Sequence, residues 1–94
     1  MKYELMVILK PLLPEDIRAG VQKKLETLVK KAKGSVVNVD AWGKRHLAYP
    51  IEKHEEGYYI VYDLELDPSK VEEFQKELNL ISDVLRSLLS KKDS

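Results

Sequence analysis

The reactive side chains of this sequence are few and dispersed. His46 and His54 are the two histidines, flanked by charges, and the chain has no cysteine. A zinc-like ion needs three or four converging donors, so no metal centre is expected. Glu55 and Glu56 come nearest to an acid/base pair. Neighbouring carboxylates in a polar turn stay hydrated and ionised, without the burial that tunes a carboxyl for proton transfer. The four glycines are scattered, which excludes a glycine-rich phosphate cradle. The expectation is a protein that is not an enzyme and that uses no cofactor.

Groups suited to binding are better represented. The stretch Gly43-Lys44-Arg45-His46-Leu47-Ala48-Tyr49-Pro50-Ile51 sets a basic triplet before small and aromatic residues. An arginine there could clamp phosphate oxygens with its planar fork of donors. The plainer reading is a strand whose outward face is basic. Tyr58, Tyr59 and Tyr62 could stack on bases, as aromatics do on RNA-binding sheets. Strand alternation puts Tyr58 and Tyr62 toward the core, however, which leaves Tyr59. Lys23, Lys24, Lys30 and Lys31 read as the solvated face of an amphipathic helix.

The elements that must position these groups fit one domain spanning residues 1–94. The chain is 44% hydrophobic and 34% charged, as suits a soluble globule with a single core. Sixteen basic residues balance sixteen acidic ones, so any polyanion would have to be held by a local patch. The opening residues contain no apolar run of signal-peptide or membrane-spanning length, and a cytoplasmic protein is expected.

Tyr3 to Leu9 reads as a strand, stopped by Pro11 and Pro14. Pro14-Glu15-Asp16 opens a helix, with carboxylates at the positive end of its dipole. Ile17, Val21, Leu25, Leu28, Val29 and Ala32 form its apolar stripe, and Gly34 is placed to end it. Val36 to about Ile51 is extended, with Gly43 marking a bulge or bend. Lys53 to Gly57 is the polar hairpin connection. In Tyr58 to Leu66 the residues Tyr58, Ile60, Tyr62, Leu64 and Leu66 share one side. Asp67 caps a second helix that buries Val71, Phe74 and Leu78.

The last segment supports two readings. Phe74, Leu78, Ile81, Leu85 and Leu88 keep helical spacing almost to Lys91, whereas Asn79, Ser82 and Asp83 favour a turn and a final strand. Val84 to Ser90 as a strand beside the first would complete four strands to cover two helices. The class is then α+β: a ferredoxin-like split βαβ (βαββαβ), with a four-stranded antiparallel sheet and two helices on one face. That fold hosts many functions and decides none. On the open face Met6, Ile8, Tyr59 and Val61 would lie with no second layer of this chain to cover them, an apolar patch of the kind that marks a protein partner's site.

Gly43-x-Arg45-x-Leu47-Ala48-Tyr49-x-Ile51 resembles the signature of the sixth small-subunit ribosomal protein of bacteria. Tyr3-Glu4, Lys53, Gly57-Tyr58 and Asp83-Val84-Leu85-Arg86 through Lys91 extend the likeness over nearly the whole chain. The resemblance implies the ferredoxin-like fold and a final strand. It also implies binding to the central domain of small-subunit ribosomal RNA, in a heterodimer with the eighteenth small-subunit protein, with no catalysis, membrane or small-molecule substrate. Basic residues at matching positions are Lys2, Arg45, Lys53, Arg86 and Lys91, with His46 where relatives can carry another base. Ser87 and Ser90 depart from the apolar residues of the last strand, and the acidic tail of some relatives is absent. The competing reading is a free-standing ferredoxin-like regulatory module that binds a small ligand or self-associates. Salt-sensitive binding to ribosomal RNA with the partner present, or co-sedimentation with small subunits, separates the two.

Overall fold

Successive side chains of the first strand face opposite sides of the sheet, and this alternation organises the fold. A computed structural model of the chain describes residues 1–92. Its elements are β1 (Lys2–Leu9), α1 (Glu15–Lys31), β2 (Ser35–Ile51), β3 (His54–Glu65), a short 3₁₀ turn (Pro68–Lys70), α2 (Val71–Asn79) and β4 (Val84–Lys91). The sheet order is β2-β3-β1-β4, with every neighbouring pair antiparallel. Tyr3, Leu5, Val7 and Leu9 of β1 and Ile60, Tyr62 and Leu64 of β3 face the helices. There they bury Val21, Leu25 and Val29 of α1 and Phe74 and Leu78 of α2. Truncating a fully buried Leu5 or Leu78 to alanine in such a core costs about 2–5 kcal/mol.

The final segment is a strand. Helix α2 stops at Asn79, Leu80 to Asp83 turn, and Val84 to Lys91 pair with β1. Helical periodicity through Leu88 loses because β1 would otherwise have one bare edge and Val84, now buried, no core to enter. Asp67 caps the 3₁₀ turn rather than α2 itself. Its carboxylate accepts from the Ser69 backbone N–H at 3.0 Å, and this hydrogen bond holds its pKa below the ordinary value.

Three local expectations are corrected. Gly34 does not supply the left-handed residue that ends α1. Lys33 does, at φ 56, with Gly34 N–H donating to Val29 O and Lys33 N–H to Lys30 O, the paired bonds of a Schellman ending. Glycine is needed at 34 because a Cβ there would lie 2.0 Å from the Glu65 carbonyl oxygen. Nor does the hairpin turn over Lys53 to Gly57. It turns at Glu52 and Lys53 alone, both at positive φ (47 and 69), the geometry that matches strand twist, and His54 already belongs to β3. Ile17 is exposed. Over the sheet at that end of α1 lies Arg18 instead, its guanidinium 4.1 Å above the Tyr58 ring.

Candidate nucleic-acid interface

The open face of the sheet follows from the register. Met6 pairs with Val61 and Leu88, and Ile8 pairs with Tyr59 and Arg86, so these side chains share the face turned away from the helices. Toward the other end of β1 the same face becomes charged, with Glu4, Asp63 and Lys92. Lys92 donates to Asp63 at 2.8 Å, and that hydrogen bond raises the ammonium pKa. The open face is therefore apolar at one end and ionic at the other.

Strand β2 outruns the rest of the sheet. Its register slips at Val36/Asn38, at Ala41/Gly43 and again between His46 and Ile51. Gly43 sits at φ 82 in the second of these irregularities, the bulge anticipated there, and such bulges bend a strand. The bent hairpin reaches β4 across the open face: Arg86 donates to the Tyr49 hydroxyl, with its guanidinium 5.8 Å from the Tyr49 ring. The expectation that nothing of this chain covers the apolar patch is therefore corrected for Ile8, which is 5% exposed. Gly57 closes against the Ile8 side chain, and Leu47 lies beside that contact. Met6, Tyr59 and Val61 remain half-buried. What is left is a groove walled by Leu47, Tyr49 and Ile51 of the hairpin and floored by Met6, Tyr59 and Leu88.

The basic residues separate into two groups. Arg45, opposite Gly57, lies on the open face, 5.8 Å from the Trp42 ring, and its Nε donates to the Trp42 carbonyl at 3.4 Å. Arg86 stands across the groove on β4, and Lys53 forms the exposed hairpin tip. His46 pairs with Glu56 on the opposite, helix-facing side of β2. Lys2 and Lys91 start β1 and end β4 at the far end of the sheet. Lys2 is six residues from Ile8, or about 20 Å of strand. The fold thus brings Arg45, Arg86 and Lys53 around one end and leaves Lys2 and Lys91 apart.

Two exposed aromatics also shape this end: Tyr49, part of the Gly43-to-Ile51 stretch, and Trp42, which the sequence did not single out. Trp42 is 42% exposed and lies parallel to Tyr59, with ring centroids 6.3 Å apart, while its indole N–H donates to Asp40 at 3.1 Å. Tyr49 is 56% exposed. The signal available for Trp42 was its place beside Gly43, where a bulge re-aims a side chain. Among the described residues no group of three His, Cys, Asp or Glu side chains could hold a metal ion, and no helix is long and apolar enough to cross a membrane.

The family profile described as ribosomal protein S6 matches residues 2–91. The small ribosomal subunit protein bS6 of Corynebacterium glutamicum is 48% identical over 92 residues, covering 98% of this chain and 97% of that one. The chain belongs to the ribosomal protein S6 family. The bS6 of Mycobacterium tuberculosis is 44% identical over 91 residues, with 97% and 95% covered. These relatives are named as ribosomal proteins and not as enzymes. The crystal structure of ribosomal protein S6 from Thermotoga maritima superposes with a TM-score of 0.89 at 26% identity, over 97% of this chain and 86% of that one. This likeness makes the ferredoxin-like assignment firm. The C-terminal domain of the MgtC protein from Mycobacterium tuberculosis reaches a TM-score of 0.63 at 15% identity, a likeness of fold alone. The split βαβ frame carries no function by itself; membership of the S6 family makes this chain a protein of the small ribosomal subunit.

Proposed function

We propose that this protein binds the central domain of small-subunit ribosomal RNA, paired with the eighteenth small-subunit protein, as a structural constituent of the cytoplasmic ribosome. The observation that carries the reading is the placing of Arg45 and Arg86. The two guanidiniums flank one end of the open face, each beside an exposed aromatic ring, and neither takes part in a carboxylate ion pair among the described residues. With a formal net charge of zero, attraction for RNA has to come from such local groups. Lys53 at the tip and His46 behind β2 extend the patch. Lys2 and Lys91 would meet a different stretch of RNA. The apolar groove beside Arg86, with Met6 and Tyr59 in it and Val61 on the same face, is the surface offered to the protein partner, and Ile8 supports it from beneath.

Each phosphate contact releases condensed counterions, so losing one lowers the log–log salt slope by about 0.7–0.9. A salt titration of the protein pair on a transcript of the RNA domain is expected to show weaker binding and a flatter slope for Arg45→Ala and for Arg86→Ala. Lysine at either position restores affinity in part, because a point charge lacks the planar fork. Wild-type affinity and slope in both alanine variants would remove these arginines from the interface.

A further inference from the structure

We infer that Arg18 and Lys44 form a second phosphate-binding pair, so that RNA grips the edge strand β2 from both of its faces. The inference rests on the RNA-binding reading above and extends it to residues on the helix-facing side. Successive residues of a strand point to opposite faces. Arg45, opposite Gly57, is on the open side, so Lys44, opposite Tyr58, is on the other. Directly opposed strand residues place their Cβ atoms about 5 Å apart. Arg18 comes to the same place from α1, with its guanidinium 4.1 Å over the half-buried Tyr58 ring.

The stacking matters for binding. A guanidinium resting on an aromatic face is held in one plane while its edge donors stay free, so less side-chain entropy is lost when it meets a phosphate. Neither Arg18 nor Lys44 is in an ion pair among the described residues, although Glu15 and Asp16 lie in the same helical turn and Glu56 lies two residues along the sheet. Strand β2 is the sheet's outer strand. A nucleic-acid backbone lying along that edge can reach Arg45 over one side and Lys44 with Arg18 over the other, without crossing the fold.

The test is RNA binding by the full chain with its protein partner, titrated with salt, on a transcript of the small-subunit central domain. Arg18→Gln and Lys44→Gln are each expected to weaken binding several-fold and to lower the salt slope by about 0.7–0.9. Lys23→Gln, which removes the same charge from the exposed face of α1, is expected to change neither. Thermal unfolding reads the stability of each variant. If Arg18→Gln does not fold, Lys44→Gln on the exposed strand decides the question. Wild-type slopes for Arg18→Gln and Lys44→Gln, or an equal loss in Lys23→Gln, overturn the inference. If Arg45→Ala and Arg86→Ala still weaken binding in that case, the RNA-binding reading stands and only the second pair is lost. If the wild-type pair fails to bind the transcript, both fall together.

Discussion

At the scale of single residues, glycines and one tyrosine show how local surroundings set the sign of an effect. A Cβ at Gly20, inside α1, meets nothing within 4 Å, so Gly20→Ala is expected to stabilise the protein by about 1 kcal/mol through helix propensity. A Cβ at Gly34 meets a backbone carbonyl oxygen at 2.0 Å and the Leu66 side chain at 2.8 Å. Gly34→Ala is expected to cost about 1–3 kcal/mol as strand and helix end are forced apart. Urea unfolding of the two variants checks both, and a stabilised Gly34→Ala would contradict the close approach. Tyr62 is 1% exposed. Burial first, and then the nearby Glu26 carboxylate, push its pKa from 10.0 to about 12. The neutral phenol therefore favours the folded state. Its contribution is complete below pH 10 and is lost as pH rises toward 12, a loss on the order of 2–3 kcal/mol. Denaturation midpoints measured from pH 9 to 12 are expected to fall more steeply for wild type than for Tyr62→Phe.

At the scale of elements, the turns carry strain that the strands and helices around them impose. Glu52 and Lys53 occupy both central positions of a two-residue hairpin at positive φ, where Asn-Gly is the favoured pair. Glu52→Asn with Lys53→Gly is expected to raise stability by about 1 kcal/mol. If Lys53 touches RNA, the same double variant binds the transcript more weakly, and Glu52→Asn alone does not. Calorimetry and binding on the same samples separate the two effects. This turn was hard to read because Gly57 is the stronger turn signal in the sequence. Yet Gly57 is a strand residue, kept small by the Ile8 methyl that a Cβ would strike. The same competition misplaced the end of α1, where Gly34 answers to close packing and Lys33 takes the left-handed conformation.

At the scale of the whole molecule, the question is what covers the open face. The two helices shield only one side of the sheet, and the bent hairpin covers only part of the other, so Met6, Tyr59, Val61 and Leu88 keep exposed apolar surface. Apolar area left in water favours association at about 25 cal/mol per Å² buried, before the costs of ordering two chains. Tyr59→Ser with Val61→Ser is expected to weaken the proposed pairing with the eighteenth small-subunit protein at least tenfold while the chain stays folded, since both positions lie outside the helix-facing core. Titration calorimetry of the pair reads this directly. Unchanged affinity would move the interface to another surface.

Most of the architecture was legible in the residues themselves, because side-chain period is a local property. Alternation in Tyr58 to Leu66 and the stripe of α1 from Val21 to Ala32 each follow from neighbours a few positions away. The Gly43-to-Ile51 motif carried the family. The last strand was undecided by period alone and needed the count of strands that two helices must cover. Only the tertiary structure decided which basic residues stand together. Arg86 meets Tyr49, 37 positions earlier, because the β2–β3 hairpin bends across the open face, and Arg45 lies on that same face. Lys2 and Lys91 belong to the far end of the same sheet. It also decided that Ile8 is covered and that Arg18 rests on Tyr58. Contacts of that kind depend on strand order and on the bend at a bulge, and neither leaves a periodic trace in the sequence.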